Sequence, residues 1–315
     1  MRLGIKDIGK IFWQAINDFS NNRVMRMSAA LAYYTIFSLA PMLIVIISLC
    51  DVFYGHEAVE GTVYEQIRDF VGEQAAQQIQ VVLRNATVSH DITWASVVGI
   101  VSLVLAATGV FTEIQYSINV IWCLKTKPKK SWIKMLLNRA LSFSMVIGIG
   151  FILLVSLVIN TLLDTLFDYL THYLPQVQLH TAYIINYIIT FATISFLFAI
   201  IFKVLPDARV KWKDVWVGAL TTAVLFMIGK FGIGYYLAKS KVSSTYGAAG
   251  SVVIILLWVY YSATILYFGA AFTRAYTHYI GRHIHPNEYA VYVRQIEVET
   301  LVDPGEAGAQ KKPDQ

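Results

Sequence analysis

Apolar residues fall into six long runs along the chain, at 29–53, 93–123, 140–163, 181–205, 215–237 and 248–272. A bilayer core about 30 Å thick needs roughly 20 predominantly apolar residues per helical crossing, so each run is long enough to span. The second exceeds one crossing and is expected to tilt or protrude into water. The pattern therefore predicts an all-α, polytopic transmembrane bundle of six spans. Before the first, Ile5, Ile8, Phe12, Ile16 and Phe19 recur at helical spacing beside Lys6 and Lys10, which predicts an amphipathic helix lying on the membrane surface. Between the first two spans, Val59, Val63, Ile67 and Phe70, then Ala75, Ile79 and Val82 beyond Gly72, predict two short amphipathic helices. They would form an acidic external cap over 54–91, either a solvated loop that closes the bundle or a lid over an outward-facing cavity. The organisation expected is an interfacial helix in 1–27, a six-helix membrane domain in 28–275, and a cytoplasmic tail in 276–315. The end of that tail, from Asp303, has no apolar face to bury and reads as disordered.

Composition supports a lipid solvent, because 57% of residues are hydrophobic and 14% charged, against about 25% charged in an ordinary globular domain. The net charge of +5 would suit nucleic acid if it were spread over one surface. It is not. The loops that alternate spans place on one side hold 20 of the 25 Lys and Arg, including Arg23, Arg26, Lys125, Lys127, Lys129, Lys130, Lys203, Arg209, Lys211 and Lys213. The positive-inside bias puts that side, with both termini, in the cytoplasm of a bacterial inner-membrane protein, and no nucleic-acid partner is expected. The first 20 residues lack a signal-peptide core, so the chain is expected to begin at or near Met1. Cys50 and Cys123 fall near opposite faces and should not form a disulfide.

Local patterns then coincide in order. Leu31-Ala32-Tyr33 with Phe37-Ser38-Leu39-Ala40-Pro41, Ser117-Ile118-Asn119-Val120-Ile121-Trp122 and Leu205-Pro206-Asp207-Ala208-Arg209-Val210 are followed by Gly218-Ala219, Gly229-Lys230, Tyr236, Tyr246-Gly247, Trp258-Val259-Tyr260 and Gly269-Ala270. Over about residues 22–275 this set resembles the YihY/virulence factor BrkB family. The resemblance implies a six-span inner-membrane protein with cytoplasmic termini and little defined chemistry. Many members follow the last Gly-Ala with Glu; this chain has Ala271, so no role of that carboxylate carries over. An older label of the family, ribonuclease BN, raises nuclease chemistry, which would need clustered His and carboxylate ligands on a folded scaffold. His283, His285 and Glu288 are the sole such group, in a segment that reads as a polar juxtamembrane tail. Neither a metal nor any other cofactor is expected, and no catalytic constellation appears.

Ionisable and polar groups inside spans are costly and are candidates for function. Glu113 heads a stripe of Thr108, Thr112, Gln115 and Asn119 at helical spacing that must face protein or water, either as interhelical hydrogen bonds or as a pathway. Lys230 would either pair with Glu113 or reach external headgroups. Asp164 and Asp168 mark the outer water interface. Pro41 interrupts the first span and frees a backbone carbonyl. Gly229, Gly232, Gly234, Gly247, Gly250 and Gly269 serve tight packing or hinge and slide motion. Arg274, His278 and Arg282 recur every four residues and are expected to meet anionic headgroups. Together these features suggest a non-enzymatic protein whose partners are membrane lipids, with a lipid or other amphiphile as substrate. It would transport or flip an amphiphilic, anionic envelope molecule; the alternatives are a non-transporting scaffold for envelope machinery and, last, an interfacial lipid-modifying enzyme or ribonuclease.

Overall fold

A computed structural model describes residues 4–38, 68, 73, 76–78, 80, 109–127, 178–239, 249–288 and 290–293, and the molecule is mainly helical there. Helix α1 covers Ile5–Asn21, α2 covers 24–38 and α3 covers 109–121. Helices α4, α5 and α6 are Gln178–Val204, Trp212–Lys239 and Gly250–Tyr279. Those last three are each long and apolar enough to cross a membrane. They correspond to the fourth, fifth and sixth runs. Pro41, Gly247 and most of the first three spans lie outside the described residues; the positions described within 54–91 are helical, with Ala76 buried.

Large exposed side chains on α5 recur every three or four residues at Trp216, Leu220, Val224, Ile228, Phe231 and Tyr235. In water such a stripe would be a large apolar patch; against acyl chains it needs no cover. The opposite face of α5 packs against α4 and α6. Its contact with α6 is built from two matching Gly-x-x-x-Thr segments running in opposite directions. A Cβ on Gly218 would lie 1.8 Å from Thr273 Oγ1, and one on Gly269 would lie 1.9 Å from Thr222 Oγ1. Each threonine therefore occupies the space left by the other helix's glycine. Each hydroxyl also donates to the glycine carbonyl one turn back in its own helix, Thr222 to Gly218 and Thr273 to Gly269, both at 2.7 Å, so neither buried oxygen is stranded.

Helix α1 does not present its apolar stripe to lipid as a unit. Ile11 and Ala15, outside the expected stripe, are buried against Phe272 and Ala275 of α6, and Phe12 and Phe19 pack there too. Ile8, Trp13 and Ile16 remain exposed. The apolar sector is wide enough to serve two neighbours, one of them protein. Polar ties fix the docking: Arg274 Nη1 lies 3.1 Å from Asp18 Oδ2, and the Tyr279 hydroxyl donates to Asp7 Oδ1 at 2.6 Å. The Tyr279 hydroxyl and the Gly4 amide hold the Asp7 carboxyl below its usual range, so this tie persists until pH falls through that lowered value.

At the end of the bundle that carries Lys203, Arg209, Lys211 and Lys213, hereafter the basic end, four short strands form. β1, Leu124–Thr126, pairs antiparallel with β4, Ala290–Tyr292, setting Thr126 opposite Ala290. β2, Ala208–Arg209, pairs antiparallel with β3, His285–Pro286. Helix α6 runs to Tyr279, past the expected boundary at 275, and ends at Gly281, whose φ of +70° suits glycine. The Gly281 amide donates to the His278 carbonyl and the Arg282 amide to that of Thr277, both at 3.0 Å, which turns the chain back across the bundle. The segment after Arg282, expected to be a polar tail without folded neighbours, is thus paired through residue 293; the rest of the tail lies outside the described residues.

Candidate functional site

Helix α3 buries Ile114, Ile118 and Ile121 in the main apolar cluster, and its polar residues flank that seam. Trp122, 1% exposed, ends the helix by donating its indole N–H to the Ala270 carbonyl of α6 at 2.9 Å. Cys123 then takes a φ of +57° and turns the chain into β1.

Around this turn the polar groups converge on Asp207, in the loop between α4 and α5. Asn119 Nδ2 donates to Asp207 Oδ2 at 3.0 Å, and Asn119 Oδ1 accepts the Asp207 amide at 2.9 Å. Gln115 Nε2 donates to Oδ1 at 3.3 Å and Thr126 Oγ1 to Oδ2 at 3.0 Å. The Asp207 carbonyl accepts the Asn287 amide at 3.0 Å. Through its carboxylate and backbone, Asp207 therefore joins α3, β1, the α4–α5 loop and the segment after α6. Gln115 and Asn119 were legible as part of the α3 stripe. Asp207 was visible only as a letter in a loop motif, because nothing in local spacing reports a partner 88 positions away.

Further along α3, Glu113 is half-buried and its Oε1 accepts a hydrogen bond from Ser117 Oγ at 3.3 Å. Facing them from α6 is Tyr267, fully buried, whose hydroxyl lies beside Ser117 without completing a well-aligned hydrogen bond. Thr112 is exposed and takes no part. Lys230 is half-buried on α5 and has contacts of its own, but no ion pair joins it to Glu113 among the described residues. Ser117 and Tyr267 were not among the expected site residues. Ser117 could have been found as the residue one turn from Glu113; Tyr267 could not, since tyrosine in a span usually reads as packing.

The glycines divide. Gly229 sits against Tyr261, whose hydroxyl occupies the space a Cβ would need, and Gly269 meets Thr222, so both serve close packing. Gly232 has open space beside it, Gly234 lies within α5 and Gly250 opens α6. Two of the basic residues after the sixth span form ion pairs within the protein. Arg274 pairs with Asp18, and Arg282 Nη1 lies 2.5 Å from Oδ1 of Asp214, whose side chain is 2% exposed. His278 of that stripe is exposed, with its ring edge-on to His283. Each of these two arginines thus meets a carboxylate from another element while part of its side chain stays exposed. His283, His285 and Glu288 are exposed, and Glu288 pairs with Arg209 at 3.4 Å. Among the described residues no three His, Cys, Asp or Glu gather to hold a metal.

Residues 15–290 match the family model described as Virulence factor BrkB. The chain belongs to that family. It is 28% identical over 273 residues to a UPF0761 membrane protein of Saccharophagus degradans, covering 85% of this chain and 59% of that one. A UPF0761 membrane protein of Haemophilus influenzae is 26% identical over 277 residues, covering 85% of this chain and 94% of that one. A third, from Tolumonas auensis, is 24% identical over 268 residues and is covered to 82%. The chain thus spans about three-fifths of the length of the Saccharophagus relative and most of the other two. No solved structure matches. With the apolar exposed stripe of α5 and three helices of spanning length, the family places this chain among membrane proteins.

Proposed function

We propose that the chain is a six-span protein of the bacterial inner membrane, with its basic end in the cytoplasm, that transports or flips an amphiphilic, anionic envelope molecule. The observation that carries this reading is the polar row inside an apolar bundle. Glu113 and Ser117 lie next to Tyr267, within the apolar stretch of α6, and Gln115 and Asn119 continue the polar groups to Asp207 at the basic end. A carboxylate about 12 Å of helix rise inside the end of α3 is costly in hydrocarbon and needs no place in a bundle built only to be filled. A specific observation favours the scaffold reading instead: the Asp207 cluster ties several segments together at the basic end, and the α5–α6 seam is interlocked.

Purified full-length chain in liposomes holding a fluorescently labelled phosphatidylglycerol separates the two. A membrane-impermeant reductant bleaches only outer-leaflet probe, about half of it in sealed vesicles without flipping. The transporter reading expects bleaching well beyond half with the intact chain and a return toward half with Glu113→Gln that elutes and unfolds like wild type. Half bleaching with the intact chain, equal to protein-free vesicles, removes flipping of anionic phospholipid and leaves the scaffold.

A further inference from the structure

Glu113 is surrounded in a way that suits a group that changes its proton. Its carboxylate accepts from Ser117 at 3.3 Å, and the titratable group facing it from another element is the Tyr267 phenol of α6. Neither α3 itself nor the described parts of α2, α4, α5 and α6 set a charged side chain against it. A half-buried carboxylate with no counter-ion among the described residues is poorly solvated when ionised, whereas its acid form is neutral. Tyr267 supplies an independent observation. It is fully buried and its hydroxyl lies beside Ser117 without completing a well-aligned hydrogen bond, an arrangement that is unfavourable unless another state uses the hydroxyl. Here both states can. With Glu113 ionised, the Ser117 O–H donates to the carboxylate and the phenol O–H would turn to join it. With Glu113 protonated, its own O–H donates to the phenol oxygen, and no charge remains in the apolar interior. Three oxygens and one charge suit a proton, because hard cations such as Ca²⁺ and Mg²⁺ gather about six oxygen ligands.

We infer that Glu113, Ser117 and Tyr267 form an intramembrane proton site in which one proton adds to the Glu113 carboxylate. The further step, that the proton drives transport, rests on the reading proposed above; the site itself does not. Substrate movement would then be coupled to a pH gradient, with the neutral acid form crossing between states in which Glu113 meets water from opposite sides.

Dicyclohexylcarbodiimide tests the site without any knowledge of the substrate. A protonated carboxyl in apolar surroundings adds across one C=N bond, its oxygen bonding to the central carbon and its proton going to nitrogen. An acyl shift to nitrogen then gives a stable acylurea, and nothing leaves. Full-length chain in liposomes is labelled across a pH series and the Glu113 peptide is followed by mass spectrometry. The expected result is an adduct on Glu113 that is strong at low pH, falls as pH rises, and is absent in Glu113→Gln. Tyr267→Phe removes a partner of both forms, but the hydrogen bond to the charged form is the stronger, so the half-labelling pH should move up by about one unit, and Ser117→Ala should move it the same way. Replacing Na⁺ with choline should change nothing. No adduct at any pH, labelling that ignores pH, or protection by Na⁺ would each overturn the proton site. If labelling behaves as expected but the intact chain flips no probe, the site stands and the coupling falls with the transport reading. If the intact chain flips its probe and Glu113→Gln does so as fast under a pH gradient, transport stands and the coupling falls.

Discussion

Asn119 uses both ends of its side-chain amide on one residue, giving Nδ2 to the Asp207 carboxylate and taking the Asp207 backbone N–H at Oδ1. This fixes which way the amide points, and a substitution can read that orientation. Asn119→Asp keeps the shape but turns the donor into an oxygen facing a carboxylate, whereas Asn119→Ala only withdraws the partner. Withdrawing a partner from a buried polar group costs about 1–3 kcal/mol, and the aspartate should cost more because like charges then face each other. Thermal unfolding in detergent, followed by size-exclusion elution, should rank the midpoints wild type, then Asn119→Ala, then Asn119→Asp; an aspartate variant as stable as wild type would exclude this geometry. At this scale the sequence showed which residues of a helix share a polar face, and was silent about the partners that meet that face from other elements. The α3 stripe exposed Gln115 and Asn119, but the pairing of Arg274 and Arg282 with Asp18 and Asp214 was not legible, because those carboxylates belong to other elements.

Helix α5 meets α6 through glycines that each receive a threonine, and the match is close enough that one methyl is felt. Gly218→Ala would push Cβ into Thr273, whose Oγ1 would be 1.8 Å away and Cβ 2.9 Å away. Overpacking of this kind costs about 1–3 kcal/mol. Because the obstruction is one side chain, Gly218→Ala combined with Thr273→Gly should recover part of the loss. Gly218→Ala combined with Thr222→Gly, aimed at the other half of the seam, should not recover it. Unfolding midpoints of the three variants test this, and equal recovery by both threonine changes would mean that the seam loosens as a whole instead of at the matched pair. Elements were legible in proportion to their length. The runs that became α4, α5 and α6 carry many apolar residues each, so their existence survives any local detail. The strands span two or three residues, too short for a period, and pair segments far apart in the chain. Helix α1 was legible as amphipathic, but not as docked, since the stripe itself does not say whether lipid or α6 covers it.

For the molecule as a whole, the fold has a direction. Helix α5 leaves the basic end at Trp212 and reaches Lys239 after 28 residues, about 42 Å of rise, more than the roughly 30 Å of a bilayer core. Helix α6 returns antiparallel to it, and α1, the four strands and the Asp207 cluster all gather where the lysines and arginines are dense. If that end is cytoplasmic, as proposed from the charge asymmetry, the two ends of α5 lie on opposite sides of the membrane. Both Lys211 and Lys239 are exposed, so each can carry a reporter thiol. The native cysteines must first be removed, and Cys123, with its φ of +57°, calls for asparagine or glycine instead of alanine. In a background of Cys50→Ala and Cys123→Asn, Lys239→Cys should react with an impermeant maleimide in intact spheroplasts, and Lys211→Cys should react only after the membrane is permeabilised. The reverse pattern would invert the molecule and place the Asp207 cluster outside. Reaction of both thiols in intact spheroplasts would mean that α5 does not cross, and the apolar stripe from Trp216 to Tyr235 would then need a protein partner in place of lipid.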